Sequence, residues 1–159
     1  MAPGDALVTR SLRGSDFDDA RAVADDWFGH PVGLTMHRLF FDQLGSTGVW
    51  IGTETGAMVG VLLGLRSQTE PDLAYIHFHM VDPAWRGRGV GSRLYLTFFA
   101  QMAHRGCTRV RALASPTRTA SISFHESLGF SGTRRNDYLG PGQDRVIFER
   151  FIGGVDAVD

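Results

Sequence analysis

The sequence VDPAWRGRGVGS, residues 81–92, is the most informative stretch of this 159-residue chain. It follows a predicted strand at residues 73–81, and it opens a predicted helix at residues 89–105. Glycines permit a tight backbone turn, and the N–H groups and the dipole at a helix start both favour an anion. Arg86 and Arg88 can add charge-assisted contacts. The stretch therefore predicts a phosphate-binding turn, although a plain glycine turn with solvated arginines fits the same residues.

The segments on either side of this turn predict a mixed sheet. A strand at residues 108–113 follows the helix, and such a crossover places it parallel to the strand at residues 73–81. The other predicted strands are residues 6–12, 49–53, 58–66, 133–138 and 144–152, and the other predicted helices are residues 15–27, residues 34–44 and a helix that ends at Gly129. We therefore predict a single α/β (α+β) domain, residues 1–159, with a sheet of about six to seven strands flanked by about four helices.

The composition indicates a globular protein with a small partner. Hydrophobic residues make up 43% and charged residues 21%, and a formal net charge of -1 offers no broad basic field for nucleic acid or an anionic membrane. No apolar run approaches the roughly 20 residues that a membrane-spanning helix requires. The single cysteine, Cys107, cannot form an internal disulfide, and the start MAPGDALVTR lacks the apolar core of a secretory signal. We therefore expect a cytoplasmic protein that binds neither nucleic acid nor membrane.

The glycine turn differs from two familiar anion-binding loops and resembles a third. It has no Lys-Ser/Thr after the last glycine, as a P-loop needs, and no GxGxxG, as a dinucleotide site needs. Arg86, Gly89 and Gly91, after the approach VDP, resemble the R/Q-x-x-G-x-G/A signature of the GNAT superfamily of N-acetyltransferases. The resemblance implies an enzyme that moves an acetyl group from acetyl-CoA to a primary amine by direct attack.

A second motif, TRTASISFHESLGF at residues 117–130, looks like the family's later N-x-x-A-x-x-x-Y-x-x-x-x-G-F helix. Thr117 stands where asparagine is common, and Phe124 stands where many members place the tyrosine that protonates the leaving thiolate. Thr117, Ala120, Ser121 and Phe124 share one helix face by their three- and four-residue spacing. This stripe could line the cofactor, or it could only pack the core.

The resemblance also implies where the cofactor lies. Strands 73–81 and 108–113 would splay apart, with pantetheine in the gap and the pyrophosphate on residues 86–91. The implied cofactor-binding residues are Met80, Val81, Arg86, Gly87, Arg88, Gly89, Val90, Gly91, Ser92, Thr117, Ala120, Ser121 and Phe124. No metal is expected.

Two histidines on the strand that leads into the glycine turn are candidate bases. An alkyl amine is mostly ammonium at neutral pH, so a group must remove a proton before the amine attacks a thioester. His77 and His79 are two residues apart, which places them on one face of the strand. The pair resembles the histidines on the matching strand of arylalkylamine N-acetyltransferases. Core histidines with satisfied hydrogen bonds fit the same pattern.

The candidates for the acid that protonates the thiolate are weaker. They are Ser121 on the predicted stripe, His125 beside Phe124, and Tyr138 before the last strand, and water is a further candidate. Cys107 has no evident base partner in sequence, so direct transfer is favoured over an acyl-cysteine route.

The acceptor side is predicted in the first two helices, where residues 25–30, DDWFGH, combine carboxylates with aromatic rings. The same residues could simply cap a helix and close a core. The acceptor, a small-molecule or peptide amine, stays unnamed, and a homodimer is left open. Two rival functions fit the sequence: a module that binds or senses acyl-CoA without turnover, and an interaction protein whose glycine loop is merely a turn.

Overall fold

A computed structural model describes residues 6–153, and it contains a seven-stranded mixed sheet and four α-helices within that range. Residues 1–5 of the segment MAPGDALVTR, on which the prediction about a secretory signal rests, lie outside the described residues. In sheet order the strands are β1 (Leu7–Ser11), β2 (Val49–Thr53), β3 (Met58–Arg66), β4 (Leu73–Val81), β5 (Arg109–Ala114), β7 (Arg145–Phe151) and β6 (Ser131–Arg135). The helices are α1 (Phe17–Phe28), α2 (Arg38–Leu44), α3 (Val90–His104) and α4 (Thr119–Ser127). The predicted α/β class and strand number are confirmed.

The contacts of the described residues divide them into two compact units. Unit 1 comprises residues 6–65 and 77–101, and unit 2 comprises residues 66–76 and 102–153. Neither unit is a continuous segment. The chain passes from one unit to the other within β3, within β4 and within α3. A single domain over residues 1–159 stays a prediction.

Unit 1 is built on antiparallel strands with a hydrophobic core under α1 and α2. β2 pairs with β1 and with β3, and the register of the second pair shifts at Ile51 and Gly52. Phe41 of α2 and Phe78 of β4 meet in the core, with ring centroids 6.2 Å apart. α1 ends at Gly29, whose φ of 76° is the left-handed conformation that favours glycine.

Unit 2 contains the parallel pair that the crossover predicted. β4 pairs with β5 from Leu73 opposite Arg109 to Ile76 opposite Ala112, whereas β4 itself continues to Val81. β7 then pairs antiparallel with both β5 and β6. The parallel arrangement is confirmed, and its register covers the first half of β4.

The two largest errors in the predicted boundaries have local reasons. The helix predicted from residue 34 begins at Arg38, because Gly33–Thr35 form a 3₁₀ turn and the extended His37 caps α2 by accepting from the Leu39 amide at 3.1 Å. The strand predicted at residues 133–138 is Ser131–Arg135 instead. The chain turns after it, with Asp137 at a φ of 53°.

Candidate active site

The glycine turn adopts the backbone conformation that its sequence requires. Gly87 and Gly89 have φ values of 70° and 81°, which side chains with a Cβ rarely adopt. Asp82 prepares the turn, since its amide donates to the Val59 carbonyl at 2.8 Å and its carboxylate accepts from the Ala84 amide at 2.9 Å. Residues 86–89 are exposed. The backbone here is therefore open to a ligand.

The start of α3 presents backbone donors next to this turn. The Arg93 amide bonds the Gly89 carbonyl at 3.0 Å, which is the first i to i−4 bond of the helix. The amides of Val90, Gly91 and Ser92 precede that bond and have no acceptor within the helix. Together with the helix dipole, they form a place suited to an anion.

The two arginines of the turn have structural contacts of their own. The Arg86 guanidinium donates to the carbonyl of Trp27 at the end of α1. The Arg88 guanidinium lies over the Trp85 ring, 4.3 Å from its centroid. Both side chains are held near the turn, which keeps positive charge there.

Gly60 of β3 sets how closely α3 approaches the sheet, a role that was not predicted from the sequence. A Cβ at this position would lie 3.1 Å from Val90 Cγ1, 3.3 Å from Leu94 Cδ1 and 3.3 Å from the Met80 carbonyl oxygen. The first turn of α3 therefore packs against a strand that has no side chain at that point. A glycine inside a predicted strand is the signal that could have indicated this approach.

His77 is held by the segment that precedes α2. Its Nε2 lies 2.8 Å from the Thr35 carbonyl oxygen, and its ring centroid lies 4.7 Å from that of Phe40. A carbonyl can only accept, so Nε2 carries the hydrogen and the basic lone pair is on Nδ1. Burial lowers the pKa of His77 below its ordinary 6.5, and the Thr35 bond opposes this effect. The imidazole is therefore neutral at pH 7.

His79 contacts a different element. Its Nδ1 lies 2.9 Å from the hydroxyl of Tyr95 in α3, and the two ring centroids are 5.0 Å apart. Tyr95 is 1% exposed, and burial raises the pKa of its phenol far above the ordinary value. Burial along β4 alternates, with both histidines half-buried between buried neighbours. The contact of Tyr95 with His79 was not predicted, since no spacing rule connects a residue of α3 to one of β4.

The predicted cofactor stripe of α4 is only partly helical. α4 begins at Thr119, so Thr117 lies in the turn before it, where its hydroxyl is 3.0 Å from that of Ser115. Ala120 is exposed, and Ser121 and Phe124 are half-buried. The prediction that all four share a helix face is therefore wrong for Thr117. The exposure of Ala120 shows that this residue does not pack the core.

His125 is a structural residue of unit 2. It is 2% exposed and stacks on Phe148 with centroids 4.5 Å apart and an interplanar angle of 7°. Its Nδ1 donates to the Ser121 carbonyl at 2.7 Å. Burial lowers the pKa of His125, against the opposing effect of the Ser121 bond. These contacts show that His125 is part of the packed interior of unit 2.

Tyr138 lines an open cavity of about 520 Å³ on unit 2. The other lining residues are Arg111, Ser131, Thr133, Arg135, Ile147 and Glu149. Arg111 pairs with Glu149 at 2.8 Å. The cavity thus combines a guanidinium, a carboxylate and a phenol, and Tyr138 itself is 45% exposed.

The segment predicted for the acceptor has structural contacts as well. The Asp25 carboxylate accepts from the Val32 amide and from Arg21, both at 3.1 Å. These two bonds hold the pKa of Asp25 below its ordinary value. Trp27 supplies its carbonyl to Arg86. The Asp25 carboxylate thus has a structural role, because it fastens the loop after α1 to the helix.

Neither Cys107 nor a metal cluster among the described residues contributes to this site. Cys107 is buried, and burial raises the pKa of its thiol, which disfavours the nucleophilic thiolate. Among residues 6–153, no cluster of three or more His, Cys, Asp or Glu side chains is arranged to hold a metal ion. No helix in the same range is long and apolar enough to cross a membrane.

The site lies in a chain that belongs to the Acetyltransferase (GNAT) family, whose match covers residues 17–130. The chain is 26% identical over 140 residues to a mycothiol acetyltransferase of Nocardia farcinica, covering 80% of this chain and 46% of that protein. It is 32% identical over 69 residues to an L-2,4-diaminobutyric acid acetyltransferase of the same species, covering 43% of this chain and 36% of that protein. The chain thus spans less than half the length of either relative.

A solved structure shows the same fold. It is the diaminobutyrate acetyltransferase of Paenibacillus lautus, in complex with L-2,4-diaminobutyric acid and coenzyme A. The TM-score is 0.74 at 18% identity, and the match covers 94% of this chain and 98% of that one. The predicted GNAT resemblance is confirmed.

Proposed function

We propose that this protein is an acetyl-CoA-dependent N-acetyltransferase that acetylates a primary amine by direct attack. The observation that carries the proposal is the turn before α3, where Gly87 and Gly89 adopt left-handed φ values and residues 90–92 present amides. Membership of the Acetyltransferase (GNAT) family supports it. Acetyl-CoA would supply an activated acyl thioester and a thiolate leaving group.

The pyrophosphate is proposed to bind the backbone of residues 86–91, with Ser92 at its edge. The exposed loop, the helix dipole and the nearby charges of Arg86 and Arg88 support this placement. Met80 and Val81, at the end of β4, remain the proposed partners of pantetheine. From the family resemblance, the proposed contacts also include Thr117, Ala120, Ser121 and Phe124.

His77 is the proposed proton acceptor. A neutral imidazole is required for that role, and burial keeps His77 neutral at pH 7. His79, Ser121 and Tyr138 remain candidates for other proton transfers, and water can protonate the thiolate. The buried Cys107 supports direct transfer over an acyl-enzyme.

The acceptor is proposed to be a small amine or a peptide amino group. The open, mainly polar cavity of about 520 Å³ on unit 2 has the volume for a small molecule. L-2,4-diaminobutyric acid, which is named for one relative and bound in one solved structure of the same fold, is a small amine and supports this class. A cytoplasmic location is proposed on the unpaired, buried Cys107.

An amine-library screen for acetyl-CoA-dependent thiol release tests the proposal. We expect release with at least one amine, and we expect calorimetry to show that acetyl-CoA binds. Binding of acetyl-CoA without thiol release for any amine would favour the alternative function, an acyl-CoA-binding or sensing module. The phenylalanine at position 124 is the feature that supports this alternative. If acetyl-CoA neither binds nor raises the melting temperature, the glycine loop is only a structural turn and the second rival function is favoured.

A further inference from the structure

Tyr95 brings a buried hydroxyl of α3 to one of the two histidines of β4. Its oxygen lies 2.9 Å from His79 Nδ1, and its ring is nearly perpendicular to the imidazole, at 88°. Phe99, one turn further along α3, contacts the Tyr95 ring edge at a centroid distance of 6.0 Å. The phenol is thus fixed by packing, with its hydroxyl directed at His79.

The chemistry of the two groups sets the direction of this hydrogen bond. A phenol is a better donor than a neutral imidazole N–H, and an imidazole lone pair is a better acceptor than a phenol oxygen. Because Tyr95 is fully buried, its phenol keeps its hydrogen. These preferences favour Tyr95 as the donor to Nδ1, an arrangement in which a neutral His79 carries its own hydrogen on Nε2.

His77 is held through the opposite ring nitrogen. Its Nε2–H donates to the Thr35 carbonyl at 2.8 Å, so its lone pair is on Nδ1. In their neutral forms both histidines therefore carry hydrogen on Nε2. The nitrogen that the protein holds is Nε2 in His77 and Nδ1 in His79. The supported nitrogen of His77 is the donor, whereas that of His79 is the acceptor.

We infer that Tyr95 is a positioning residue that holds His79 as a hydrogen-bond donor, leaving proton acceptance to His77. An acceptor suits the proton of the attacking amine, and a donor suits an oxygen on which negative charge develops. The inference rests on the proposed acetyl transfer for its role in catalysis. The tautomers themselves can be measured without turnover.

Nitrogen NMR of the ¹⁵N-histidine-labelled protein tests the tautomers. The ring nitrogens of a neutral imidazole resonate far apart, according to which one carries hydrogen, and His79→Gln assigns the His79 pair. We expect hydrogen on Nε2 of His79 in the wild type, and a shift of both His79 signals towards mixed tautomers in Tyr95→Phe. Phe99→Leu, which alters the packing of the ring and keeps the hydroxyl, should preserve the wild-type tautomer. Hydrogen on Nδ1 of wild-type His79, or unchanged signals in Tyr95→Phe, would overturn the inference.

Kinetics tests whether Tyr95 acts through His79. Tyr95→Phe should lower kcat about tenfold, the effect of one hydrogen bond, with the KM for acetyl-CoA unchanged. In a His79→Gln background the same change should cause no further loss. An equal loss in both backgrounds would show that Tyr95 acts independently of His79. If the wild type releases no thiol with any amine, the proposed function fails, and the NMR result still decides the tautomers.

Discussion

Gly89 has a φ of 81° directly before α3, and a Cβ built there would meet no atom within 4 Å. We expect Gly89→Asp to abolish acetyl-CoA binding, because a carboxylate would add like charge and bulk where the phosphate is proposed to lie. Gly91→Asp should do the same. Calorimetry measures the affinity.

Gly106 provides a matched control for Gly89. It has a similar φ of 89°, also with no atom within 4 Å, and it follows the other end of the 15-residue α3. Gly106→Asp should cost comparable stability and leave acetyl-CoA affinity unchanged. Unchanged affinity in folded Gly89→Asp would show that the pyrophosphate binds elsewhere.

Phe124 occupies the position at which the family commonly has a tyrosine, and its ring has no exchangeable proton. We expect Phe124→Tyr to fold and to keep its activity, since the proposed role is packing beside the thioester. Phe124→Ala should weaken acetyl-CoA binding or lower stability, because it removes a half-buried ring. Thiol release and thermal melting measure the two effects. Full loss of turnover in folded Phe124→Tyr would show that the site has no room for a hydroxyl.

His77 is expected to control deprotonation of the amine. His77→Gln should lower turnover by about 10²-fold and flatten the acidic limb of the pH–rate profile, with acetyl-CoA affinity preserved. Because burial lowers the pKa of His77, that limb should lie below pH 6.5. His37→Gln, which removes the exposed histidine that caps α2, is the control. Wild-type turnover and pH dependence in His77→Gln would leave water or a carboxylate as the acceptor.

The first turns of α3 pack closely against β3 because Gly60 has no side chain. Gly60→Val would place a branched side chain against Val90 and Leu94, where even a Cβ would lie 3.1 Å and 3.3 Å away. Such overpacking costs about 1–3 kcal/mol of stability. We expect it also to displace the first turn of α3 and to weaken acetyl-CoA binding. Chemical denaturation and calorimetry measure the two losses.

Val90→Ala gives the control for this packing. It removes the nearest atom, Cγ1, so the double variant should be less destabilised than the sum of the two single changes. Strict additivity would mean that Gly60 and the start of α3 are not coupled.

Acid should destabilise the folded protein through the half-buried His77 and the buried His125. Burial lowers the pKa of both His77 and His125 in the folded state, so the unfolded chain binds more protons once the pH falls below 6.5. The free energy of unfolding should therefore decrease as pH falls from 7 to 5. Asp16, whose pKa lies below 3.8, contributes its own loss only at lower pH.

Denaturation of His125→Gln at several pH values measures this effect. The variant should be less stable than the wild type at pH 7, because it loses the stack on Phe148, and its stability should fall less steeply between pH 7 and pH 5. His104→Gln is the control for removing an exposed histidine at the end of α3. A wild-type slope in His125→Gln would assign the acid loss to other groups.

Features that depend on local backbone geometry could be predicted from the amino-acid sequence. The glycine turn and the helix after it follow from residues 81–92, because only glycine readily adopts the φ values of Gly87 and Gly89. The crossover between two strand patterns was sufficient to predict that β4 and β5 are parallel. The first family motif, Arg86, Gly89 and Gly91, lies in this same glycine turn.

The contacts of individual side chains could not be predicted from the sequence, because they depend on tertiary packing. The Arg86 guanidinium reaches the carbonyl of Trp27, a residue 59 positions earlier, and Tyr95 reaches His79 from another element. The roles of the two histidines could not be separated by their spacing, since it gives them the same face of β4. The partner of each ring nitrogen depends on which helix or turn packs beside it, and that packing is set by long-range burial of apolar side chains.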